Sequence, residues 1–78
     1  MTKAYVLIVT DSAAMRRVAS ALREVAGITQ VHEVMGPYDV VAELEAESVT
    51  EIPSVLADTI RTIEGIQSTT TLVAFPSP

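Results

Sequence analysis

Apolar residues fall along this chain in two rhythms, one of strands and one of helices, and the rhythms recur in the same order in each half. Tyr5 to Thr10 is short, β-branched and unbroken in apolarity, with Val6 and Ile8 opposing Tyr5, Leu7 and Val9. Such a run predicts a strand covered on both faces. Met15, Val18, Leu22 and Val25 then recur at helical spacing, behind an Asp11 or Ser12 cap and ahead of Gly27, a residue suited to a helix C-terminus. Ile28 to Met35 predicts a second strand, with Ile28 and Val34 on one face, where His32 also falls by parity, and Val31, Glu33 and Met35 on the other. After a turn, Val40, Ala42, Leu44 and Ala46 alternate with Val41, Glu43 and Glu45, the mark of a strand with one face on a core.

The second helix opens at Ser48-Val49-Thr50-Glu51, which matches a capping box, although Pro53 sits better if Thr50 is the cap. Its apolar stripe is Ile52, Val55, Leu56, Ile60 and Ile63, ending near Gly65. Ile66 to Phe75 predicts the last strand, and Pro76-Ser77-Pro78 a frayed end. The order βαββαβ predicts an α+β fold: a ferredoxin-like sandwich of the dimeric α+β barrel type, in which a four-stranded antiparallel sheet carries two helices on one face. Residues 1–78 read as one domain.

That fold makes the first strand a functional clue. With both helices on one face, the alternate apolar residues of Tyr5–Val9 point into water on the other, forgoing about 1.5–3 kcal/mol of burial each. A core this small rarely supplies more than about 3–5 kcal/mol. The chain has no cysteine to staple it, and its single histidine, His32, cannot build a zinc site. A calcium loop is excluded too, since Glu43, Glu45 and Glu47 alternate without the glycine such a loop turns on. Association of the open sheet face with another subunit is the remaining source of stability.

Charge narrows the partners. Ten acidic and five basic residues give a net charge of −5, which argues against a nucleic-acid surface. Arg16, Arg17 and Arg23 fall in one predicted helix, on its solvated face. The longest apolar run, Ala4 to Val9, is far short of a membrane span, and no cleavage signal follows the start. A cytoplasmic location is expected.

The turn Met35-Gly36-Pro37-Tyr38-Asp39-Val40 combines backbone freedom, an aromatic ring and a carboxylate. As structure it is a hairpin corner: Gly36 supplies permissive torsions, Pro37 fixes its own φ, and Asp39 accepts local hydrogen bonds. As chemistry it suits a small zwitterion, whose ammonium wants a carboxylate and whose carboxylate wants N–H groups and hydroxyls. The run Ser68 to Thr71 could add hydroxyls, though β-branched threonine is also ordinary strand filler. Catalysis is poorly provided for. No base is evident to activate a serine or threonine, Glu43 and Glu45 read more simply as solvated or interface carboxylates, and no glycine-rich phosphate loop exists.

The segment Gly36-Pro37-Tyr38-Asp39-Val40-Val41 resembles the Gly-x-Tyr-Asp turn of the leucine-responsive/asparagine-synthesis regulator (Lrp/AsnC) family. Glu64-Gly65-Ile66-Gln67-Ser68-Thr69-Thr70-Thr71 resembles that family's glycine, hydrophobe and spaced threonines entering the last strand. The two motifs stand at the expected places in a βαββαβ order, and the resemblance covers nearly the whole chain. It implies the family's effector-binding (RAM) domain, which binds amino acids or related effectors, dimerises through its sheets and sets effector sites near these turns in rings of dimers. Carried over by position, Gly36, Tyr38 and Asp39 frame the effector, Thr69 and Thr71 add hydroxyls, Met35 flanks the turn and His32 is a secondary candidate. Neither a metal nor a cofactor is implied.

Full-length members carry an N-terminal helix-turn-helix domain, whereas this sequence opens at the first strand, so it resembles a stand-alone module or an excised domain. Any role in transcription is then indirect, through a full-length relative. Two other readings share the fold: a cofactor-free dimeric α+β barrel enzyme of the oxygenase or isomerase type, for which His32 is the one candidate, and a purely structural oligomerisation module.

Overall fold

The computed structural model describes residues 1–75. Four strands, β1 (Thr2–Thr10), β2 (Ile28–Glu33), β3 (Val40–Ala46) and β4 (Ile66–Val73), form one antiparallel sheet in the order β2-β3-β1-β4. Helix α1 (Met15–Arg23) joins β1 to β2. The second crossover is broken into a 3-10 turn (Val49–Glu51), helix α2 (Ile52–Asp58) and a second 3-10 turn (Ile60–Thr62). The predicted α+β sandwich is therefore the observed one.

The core lies between the sheet and the helices. Ala4, Val6 and Ile8 of β1 and Val40, Ala42 and Leu44 of β3 are fully buried there, with Val18, Ala19 and Leu22 of α1 and Ile60 opposite them. This central pair explains the continuous apolar run at Tyr5–Val9, because β1 pairs on both sides while its alternate residues Tyr5, Leu7 and Val9 lie half-buried on the uncovered face.

The helices begin differently from the sequence expectation. Neither Asp11 nor Ser12 caps α1: Ala14 holds the cap position without a side-chain bond, and the Asp11 carbonyl accepts the Ala14 N–H at 2.9 Å. Asp11 uses its carboxylate elsewhere, accepting from Gln67 Nε2 at 2.9 Å. The capping box at Ser48 also fails to form, because the Ser48 hydroxyl pairs with Thr50 Oγ1 at 2.8 Å and a 3-10 turn intervenes before α2. Val25 lies beyond the end of α1, its N–H bonded to the Leu22 carbonyl.

Parity misassigns β2. The register with β3 shifts between Ile28 and Gln30, so Ile28 opposes Leu44 while Val31 opposes Ala42, and both reach the core. One extra residue, Thr29, reverses the alternation, as a bulge does. His32 consequently opposes Val41 and shares the open face with it, and β2 stops at Glu33, short of Val34 and Met35. The last strand ends at Val73 and Phe75 stands outside it, 95% exposed. The predicted frayed end at 76–78 lies outside the described residues.

Two glycines tie the halves together. Gly27 and Gly65 both adopt positive φ, at 91° and 103°. The Gly27 carbonyl accepts from Glu45 N at 2.9 Å, and the Gly65 carbonyl accepts from Asp11 N at 2.8 Å, so each half ends its helix on the first strand, or strand end, of the other.

Candidate functional site

The β2–β3 corner is a loop closed at its neck, where Val34 N–H donates to the Asp39 carbonyl at 2.9 Å. Asp39 then fixes the loop to β1 twice. Its backbone N–H donates to the Ile8 carbonyl at 2.9 Å, and its Oδ2 accepts the Thr10 N–H at 2.9 Å and lies 3.4 Å from Thr10 Oγ1. Thr10 is the one buried polar residue among those described, at 6% exposure, so the carboxylate satisfies a donor that water barely reaches. Oδ1 has no hydrogen-bond partner among the described residues.

The tip of the corner faces outward. Gly36 has φ +143° with nothing near its hydrogen positions, Met35 is 99% exposed, and Tyr38 is half-buried beside Asp39. Gly36, Tyr38, Asp39 and Met35 are thus gathered on one rigidly tethered loop.

The other predicted contributors are not brought into that cluster within one chain. Thr69 and Thr71 oppose Ile8 and Val6 across the β1–β4 ladder, which sets both half-buried on the helix side of the sheet. Thr69 reaches the same end of the sheet as the corner, with β1 between them; Thr71 lies a further pair away. His32 stands on the open face beyond β3. Its Nε2 donates to Gln30 Oε1 at 3.1 Å and lies 3.9 Å from Glu43 Oε2, and Lys3 Nζ lies 3.5 Å from Glu43 Oε1. The His32 side chain is 55% exposed on the side away from the helices, so the enclosed, helix-covered setting wanted by an oxygenase or isomerase is not the one observed. Among the described residues no three or more His, Cys, Asp or Glu converge as metal ligands.

Sequence reasoning missed Thr10. The available signal was its position as the first polar residue after the apolar run, where a strand end still needs hydrogen-bond partners. It also missed two surface depressions. One of about 270 Å³ lies beside the β2 edge, lined by Arg23, Ile28, Thr29, Gln30, Val31 and His32. The other, of about 310 Å³, lies beside the β4 edge, lined by Arg61, Ile66, Gln67, Ser68 and Thr69.

A split βαββαβ sandwich with a bare sheet face and a tethered, carboxylate-bearing corner defines a ferredoxin-like domain of the kind that associates through its sheet. Residues 3–78 match the model of the Lrp/AsnC ligand binding domain, and the chain belongs to that family. An uncharacterised helix-turn-helix-type transcriptional regulator of Pyrococcus horikoshii is 32% identical over 77 residues, which are 95% of this chain and 51% of that protein. The chain therefore spans about half the length of the curated relatives it matches. Among solved structures, TTHA0845 from Thermus thermophilus superposes with a TM-score of 0.94 at 33% identity, covering 100% of this chain and 98% of that one. AsnC of Escherichia coli superposes at 0.90 with 26% identity, covering 99% of this chain and 52% of its own. No helix among the described residues is long and apolar enough to cross a membrane.

Proposed function

We propose that residues 1–78 are a non-enzymatic effector-binding and oligomerisation module, which takes an amino acid or related small effector at the Gly36–Asp39 corner. The observation that carries this reading is the division of labour in the Asp39 carboxylate: Oδ2 is committed to Thr10, while Oδ1 keeps its lone pairs for an ammonium group. Membership of a ligand-binding family supports it. The corner is one wall only, so a second copy closes the pocket and brings hydroxyls such as those of Thr69 and Thr71 toward it.

Dimers form through the open sheet face, where Tyr5, Leu7, Val9 and Val41 are only half covered in one chain and Leu72 is 52% exposed. Dimers in turn join into a ring. Effector binding shifts the assembly by preferring one arrangement over another. The module acts on transcription indirectly, in the cytoplasm, through mixed assembly with a full-length helix-turn-helix relative, and makes no nucleic-acid contact itself.

Isothermal titration against the twenty amino acids tests the reading. Saturable heat from one amino acid or a few is expected, with a matching rise in Tm. Uniform silence in both measurements would leave only a structural oligomerisation module.

A further inference from the structure

The two halves repeat a motif that the effector reading does not use. Arg23 stands four residues before Gly27-Ile28, and Arg61 four residues before Gly65-Ile66. Both glycines adopt positive φ, both isoleucines begin an edge strand, and both arginines line a depression beside that strand.

The repeats differ in what the arginine holds. Arg23 Nη2 donates to the Val31 carbonyl at 3.3 Å, occupying an acceptor that the β2 edge would otherwise expose. Arg61, its counterpart, has no hydrogen-bond or salt-bridge partner among the described residues. Its depression also presents the hydroxyls of Ser68 and Thr69 and the amide of Gln67, which Asp11 Oδ1 holds by accepting from Nε2 at 2.9 Å. Unpaired backbone N–H groups of an edge strand lie beside these side chains.

We propose that the depression beside β4 is a binding site for a small carboxylate, anchored by Arg61. A guanidinium presents a planar pair of donors that matches a carboxylate, and hydroxyl donors at Ser68 and Thr69 complete its coordination. The site is separate from the Asp39 corner. Thr10 opposes Ile66 across β1–β4 while Asp39 sits on the other side of β1, so two strand spacings of about 4.8 Å intervene. The ammonium and carboxylate of one amino acid, borne on a single carbon, cannot span that gap.

The test is a ¹H–¹⁵N NMR titration of the full chain with sodium acetate, at ionic strength held constant with sodium chloride, followed by the same titration with inorganic phosphate. Saturable shifts at the Ser68 and Thr69 amides and the Arg61 side-chain N–H are expected with acetate. Arg61→Gln should weaken them about tenfold or more, the worth of a charged hydrogen bond. Arg61→Lys, which keeps the charge without the fork, should fall between the two. Asp39→Asn should leave the acetate curve unchanged, whatever it does to amino-acid binding. Shifts that follow chloride equally, that survive Arg61→Gln in a folded variant, or that are stronger with phosphate would overturn the assignment.

Discussion

Asp39 and Thr10, 29 residues apart, are joined by a 2.9 Å hydrogen bond from the Thr10 backbone N–H to the Asp39 carboxylate. The bond stitches the start of β3 to the end of β1 and makes the aspartate structural before any ligand arrives. Asp39→Ala should therefore cost about 1–3 kcal/mol, because it strands a nearly buried donor. In a domain of this size each kcal/mol lowers Tm by roughly 4–8 °C. Asp39→Asn keeps a side-chain oxygen and should retain most of that stability while losing the negative charge. Thermal unfolding of the two variants checks this: equal losses would mean that the stitch is not what Asp39 contributes. A fall in amino-acid affinity in the asparagine variant would then report the charge alone.

Gly65 and Gly36 both have positive φ, yet they should not tolerate alanine equally. A Cβ at Gly65 would lie 2.8 Å from Ala14 Cβ, whereas one at Gly36 would meet nothing within 4 Å. Backbone strain alone is worth about 1–3 kcal/mol at such positions, and Gly65→Ala adds a collision between α1 and the β4 entry. Urea titration should show Gly65→Ala as the more damaging change, and the reverse order would contradict the packing described.

Leu7 tests the open face. It opposes Val41 and Thr70 at the centre of the sheet, on the side away from the helices. Leu7→Lys should leave the fold intact by circular dichroism but abolish association, given about 1.5–3 kcal/mol per buried apolar side chain at each of two symmetry-related positions. Light scattering should give a dimer or larger for the unaltered chain and a monomer for the variant. A wild-type chain that is monomeric at micromolar concentration would sink the sheet-face interface.

Leu22 is fully buried at the centre of α1's contact with the sheet. Leu22→Ala should cost about 2–5 kcal/mol. Since a core of this size supplies about 3–5 kcal/mol by itself, the variant should be largely unfolded unless association rescues it. Circular dichroism across a dilution series checks both halves of that statement.

The sequence pattern revealed the element order because the stripe at Ile52–Ile63 and the alternation at Val40–Ala46 are long enough to outvote local exceptions. It failed where one residue's choice of partner decided the outcome. Asp11 looked like a helix cap, but Gln67, far along the chain, takes its carboxylate. Thr29 looked like an ordinary strand residue, but the bulge there moved His32 to the opposite face from the core. The corner at Gly36–Asp39 was legible from local chemistry, whereas the separation of Thr69 and Thr71 from it depended on the sheet order, which no local pattern encodes. Arg61 left a trace only as the second copy of the arginine before Gly27.

The reciprocal carbonyl bonds of Gly27 and Gly65 mean that the internal repeat is not a pair of independent units. Each half lends its helix exit to the other, and β1 is sandwiched between two strands that both come from the second half. Cutting the chain in the corner loop should therefore yield two fragments that are each unstructured but recover the fold when mixed. In the intact chain, the amides of Asp11 and Glu45 should exchange with solvent together, at the rate of global opening, as two latches on one door.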